Sequence, residues 1–93
     1  MSRDEIFKQV ADALVKLQKE SGRETTKITG DMKPIGHLAG FDSHAGLEFT
    51  CALEQKLKIE IAFDENLCVD DDERRARSVD EIVDRVIVLQ KGD

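Results

Sequence analysis

Apolar positions between residues 3 and 19 recur at helical spacing. Ile6, Val10, Leu14 and Leu17 share one face, Phe7 and Ala13 lie at its margins, and Lys8, Gln9, Asp12 and Lys16 take the other. A 3.6-residue period of this kind predicts an amphipathic helix. Ser2 supplies an N-cap, and Glu5, three residues on, completes a capping box. Gly22 follows soon after the last periodic residue, as a C-terminal stop does.

Residues 20–41 lose the period. They hold four of the six glycines (Gly22, Gly30, Gly36 and Gly40) and the only proline, Pro34. A loop this long within a small domain is functional or is packed by its own apolar side chains, here Ile28, Met32, Ile35 and Leu38. A second helix follows over 43–57, capped by Asp42 or Ser43. It carries two apolar stripes: Phe49, Leu53 and Leu57 on one face, Leu47 and Cys51 on another. One stripe suffices for burial. The second is either a further buried face or a partner surface.

Ile59, Ile61 and Phe63 alternate with Glu60 and Ala62. A lone strand has no pairing partner, so this reads as an extended connector with its apolar side chains inward. Leu67, Cys68 and Val69 suggest a short third helix, and Asp70 to Arg77 is almost wholly charged. The last helix is clear: Ser78 as cap, Glu81 three later, then Val79, Ile82, Val83, Val86 and Leu89 inward. Glu81 and Arg85 have the spacing of a helical ion pair. The expected fold is therefore all-α: one domain over 1–93, a small four-helix bundle with a long first loop and a short third helix.

Charge narrows the partners. Residues 1–40 carry seven bases and six acids, and residues 41–93 seven bases and fourteen acids, for a net charge of −6. An acidic second half argues against nucleic acid and against anionic membrane surfaces, and favours partners with basic patches. No run approaches the ~20 apolar residues of a membrane span. The segment Met1-Ser2-Arg3-Asp4-Glu5 leads into a polar amphipathic stretch rather than the apolar core of a signal peptide, so a cytoplasmic protein is expected. Cys51 and Cys68 fit no metal-ligand spacing and are expected as free thiols, and no metal site is expected.

Enzymatic chemistry finds little support. Ser43 and His44 are adjacent, but consecutive helical residues point about 100° apart, so His44 is badly placed to deprotonate Ser43. His37 could fold back, but no third group is implied. The run Asp70-Asp71-Asp72-Glu73 fails as a calcium loop because Arg74 and Arg75 occupy the fifth position and the sharp-turn position.

One stretch carries more. Gly40-Phe41-Asp42-Ser43, then Leu47-Glu48-Phe49, Ala52-Leu53-Glu54 and Leu57-Lys58-Ile59-Glu60-Ile61 resemble the acyl carrier protein family. That family shows Gly-x-Asp-Ser-Leu, an apolar-Glu-apolar triplet, Ala-Leu-Glu, and then Ile-Glu-Ile-Pro. The register runs without a gap from Gly40 to Ile61.

The resemblance implies a non-catalytic carrier. Ser43 would be esterified by 4′-phosphopantetheine taken from coenzyme A, and the arm's thiol would hold an acyl group as a thioester for enzymes of fatty-acid, lipid or related biosynthesis. Asp42 corresponds to the motif aspartate. His44, Leu47, Glu48, Cys51 and Glu54 fall on the partner-facing positions. The implied partners are a phosphopantetheinyl transferase and acyl-transferring or acyl-modifying enzymes with basic patches, met by a monomer. Phe49, Leu53 and Ile61 would line an acyl chain or simply fill the core.

The sequence departs from the family at several points. His44 replaces the motif leucine, Gly46 lies inside the second helix, and Ala62 replaces the proline. The stretch from Ile61 to Val79 is longer by about seven residues. These changes imply a specialised member. The alternatives are an unmodified helical interaction module on the same fold, or a peptidyl or aryl carrier.

Overall fold

The computed structural model describes residues 1–70 and 75–91. The chain is mostly helical. Helix α1 spans Arg3–Glu20, a kinked single turn α2 Pro34–His37, α3 Ser43–Leu57 and α4 Val79–Lys91. Two-residue strands β1 (Val69–Asp70) and β2 (Arg75–Ala76) pair antiparallel between α3 and α4, with Val69 opposite Ala76 and Asp70 opposite Arg75.

The three long helices start where their side chains satisfy free backbone N–H groups. Ser2 and Glu5 form the expected capping box on α1, and Ser78 and Glu81 form another on α4. Asp42, rather than Ser43, caps α3. Gly22 takes a φ of 70° just beyond α1 and serves as the stop its position suggests.

Helix α1 packs against both α3 and α4, most extensively against α4. Ile6, Val10, Ala13 and Leu14 meet Phe49 and Leu53 of α3 and Val79, Ile82, Val83 and Val86 of α4 in one buried cluster. With only four Phe and no Trp or Tyr, this core is mainly aliphatic.

The first loop is pinned to the helices by named bonds. Gln18, buried at 1% exposure, donates from Nε2 to the carbonyls of Glu24 and Ala39 and accepts from Arg23 Nε. One side chain thus ties both ends of the loop to α1, and burial strengthens the need for each bond. At the far side, Val79 N–H donates to Met32 O and Asp80 N–H to Gly30 O. Ile28, Met32, Ile35 and Leu38 pack on the core as expected.

Three expectations are corrected between α3 and α4. Leu67–Val69 form no helix: Leu67 and Cys68 lie in a turn and Val69 enters β1. Asn66 and Thr50 satisfy the Cys68 and Leu67 N–H groups from their side chains, which removes the need for helical bonds there. Phe63 points outward, because the chain turns at 62–65 with Glu65 N–H bonded to Ala62 O. Arg85 reaches Glu65 through two bonds of 2.7 and 2.9 Å, while Glu81 caps Ser78 and binds Arg75. Of the run from Asp70 to Arg75 weighed as a calcium loop, 71–74 lie outside the described residues. No described helix is long and apolar enough to cross a membrane.

Candidate functional site

The site is the entry to α3. Gly40 precedes it at φ 65°, a left-handed conformation, and a Cβ there would stand 2.5 Å from Arg23 Cδ. The positive φ favours glycine at the head of the Gly40–Ser43 motif, and any side chain there would also have to displace Arg23. Phe41, 4% exposed, anchors the next position in the core. Asp42 then turns its Oδ1 onto Ala45 N–H at 2.9 Å. That hydrogen bond, more than the nearby positive charges of His44 and Arg23, holds the Asp42 carboxyl below its ordinary range.

Because Asp42 is the cap, Ser43 occupies the first helical position and is exposed. Its carbonyl oxygen accepts a 2.9 Å hydrogen bond from Asn66 Nδ2. His44 is exposed on the next position, and His37 uses Nδ1 to accept from Lys33 N–H. Among the described residues no hydrogen bond joins Ser43 to a histidine, so the geometry offers a hydroxyl without an assembled base.

The remaining sequence-selected residues divide along α3. Leu47, 40% exposed, Glu48 and Cys51 face outward with Ser43 and His44. Glu54 is half-buried, and its Oε2 accepts from Ile61 N–H at 2.8 Å, fixing the connector to the end of the helix. Phe49, Leu53 and Ile61 are buried in the core at 0, 0 and 8% exposure. Cys51 and Cys68 are both free. Cys68 is buried, and desolvation pushes its thiol up to about 12.

A clamp around Gly46 escapes the sequence reading. Thr50 Oγ1 donates to Gly46 O and accepts from Leu67 N–H. Asn66 bonds Ser43 O on one side and Cys68 N–H on the other. A Cβ on Gly46 would lie 2.6 Å from Asn66 Oδ1. The glycine that interrupts a helix is thus the notch into which the connector fits. Its place inside α3 was the available signal, since a helical glycine marks close approach of another group.

Two open clefts lie away from Ser43. One is lined by Ala13, Leu17, Ala52 and Lys56 between α1 and α3. The other, just past the C-terminal end of α3, is lined by Met1, Lys58, Ile59, Val88 and Leu89. Comparison with family models, with curated proteins and with solved structures found no match to this chain.

Proposed function

We propose that this chain is an acyl-carrier-type protein, carrying 4′-phosphopantetheine on Ser43 and presenting acyl thioesters to partner enzymes. The observation that carries the reading is that Asp42 caps α3 and leaves the Ser43 hydroxyl exposed at the helix N-terminus, inside the Gly40–Ser43 motif. A phosphodiester there lies where the helix dipole and unpaired N–H groups favour an anion.

In arm transfer, Ser43 Oγ attacks the pantetheine-side phosphorus of coenzyme A. The new P–O bond replaces the pyrophosphate P–O bond, and adenosine 3′,5′-bisphosphate leaves. No base is assembled beside Ser43 in the described residues, so the serine proton passes to the transferase. The chain itself contributes no catalysis in this reading. It is an acyl-carrier-like bundle in which a connector and a strand pair replace the third helix.

Partner recognition is assigned to His44, Leu47, Glu48 and Cys51, which are exposed on α3. Glu54 contributes by holding the connector. The exposed acids Asp42 and Glu48 near the apolar Leu47 and Cys51 suit weak, salt-sensitive docking to basic partners.

The test is intact mass after incubation with coenzyme A and a broad-specificity phosphopantetheinyl transferase. The reading predicts a gain of one arm, absent in Ser43→Ala. No gain, beside a control carrier that is loaded, would leave the chain an unmodified interaction module.

A further inference from the structure

Phe63 is 99% exposed, the most exposed large apolar side chain described. An aromatic ring left in water forgoes a large burial gain. The turn that carries it is nonetheless held firmly. Glu65 N–H closes it on Ala62 O at 2.9 Å. Upstream, Ile61 is fixed by the Glu54 carboxylate and by its own buried side chain. Downstream, Arg85 holds Glu65 with two bonds and Asn66 binds Ser43 O.

The connector runs antiparallel beside α3, with Ile61 at Glu54 and Asn66 at Ser43 and Gly46. Phe63 therefore stands between these two points, along the length of the helix that exposes Leu47 and Cys51. An aromatic side chain on a fixed support loses little freedom on binding, which is the property of an interface anchor.

Charge identifies what covers it. Glu60 and Asp64 flank Phe63 and are exposed, and residues 43–66 carry five acids against two bases, Lys56 and Lys58. A second copy meeting this patch about a two-fold axis would bring acid against acid, and an anionic bilayer would be repelled in the same way. A basic protein surface with an apolar pocket is complementary.

We infer that Phe63 is the apolar anchor with which this protein docks the enzyme that acts at Ser43, entering a pocket on that enzyme rimmed by lysine or arginine. The inference rests on the carrier reading and adds a contact outside α3.

The experiment compares steady-state arm transfer to wild type, Phe63→Ala, Phe63→Leu and Val88→Ala, the last an exposed apolar control on α4. Phe63→Ala is expected to raise KM about tenfold, as a central anchor does, with kcat and Tm unchanged because its ring is exposed. Phe63→Leu recovers part of the loss, and Val88→Ala changes nothing. Unchanged KM for Phe63→Ala, with wild type loaded, overturns the docking role alone. A dimer in sedimentation velocity that Phe63→Ala dissolves makes the occupant a second copy and also overturns it. Failure to load wild type overturns the carrier reading, and the docking role falls with it.

Discussion

The side-chain amide of Asn66 donates to the carbonyl oxygen of Ser43 across 23 residues of sequence, at 2.9 Å. That contact makes the first turn of α3 depend on the connector that follows the helix. Gly46 leaves the space for it. Gly46→Ala should therefore destabilise the protein, although alanine gains about 1 kcal/mol of helix propensity over glycine. The new methyl displaces Asn66 from two hydrogen bonds, for a net loss of about 1 kcal/mol. In Asn66→Ala the clash is gone, so adding Gly46→Ala should become neutral or stabilising. Urea denaturation of the four proteins in this cycle measures the coupling. Additive effects would mean that the two residues do not share a site.

Glu65 is 7% exposed and is held by Arg85 through two oxygens. Removing the guanidinium leaves a nearly buried carboxylate unpaired. Arg85→Met should cost about 2–4 kcal/mol, tempered by the partial exposure of the arginine. Glu65→Gln, which sheds the charge and keeps an acceptor, should cost less. Chemical denaturation of both variants checks the order, and equal losses would contradict it.

Acid should weaken the fold. Glu81 is lowered to about 2, first by the Ser78 N–H and then by Arg75. Arg85 lowers Glu65, the Ala45 N–H lowers Asp42 and the Ser2 N–H lowers Glu5. In each case the unfolded chain takes up protons at a pH where the folded chain does not. The stabilisation is thus present above the unfolded carboxylate range and is lost as pH falls from about 4.5 toward 2. Urea midpoints should drop below about pH 4.5, and Glu81→Gln should flatten part of that drop. A midpoint that rises on acidification would contradict this account.

The two cysteines should differ in reactivity. Cys51 is exposed, and Cys68 is buried with its thiol raised to about 12. The thiolate is the nucleophile, so brief iodoacetamide treatment of the native protein should add one group, on Cys51. Denaturant should expose Cys68 and allow a second. Peptide mass spectrometry reads both sites, and equal native labelling would place Cys68 at the surface.

The long helices and both capping boxes were legible because they rest on local periodicity and on three-residue spacing. Residues 59–70 were not, because their structure is set by side chains from elsewhere. Thr50 and Asn66 satisfy backbone groups that a local reading assigned to a helix at Leu67–Val69. Alternation at Ile59, Ile61 and Phe63 correctly suggested inward side chains for the first two, but the turn at Ala62–Glu65 reversed the third. At the candidate site, the Asp42–Ser43 cap pair was visible without being resolved. The geometry separates their roles, with the aspartate spent on Ala45 N–H and the serine exposed. Gly46 read as a weakness in α3 because its partner, Asn66, lies 20 residues away in the chain.

The central claim is that Ser43 bears the arm. Fragment-ion mass spectrometry of the protein after incubation with coenzyme A and an active transferase tests it most directly. The account predicts one phosphopantetheine group, located on the peptide that contains Ser43. An unmodified Ser43 peptide, or an arm found on Ser2, Ser21 or Ser78, would contradict it.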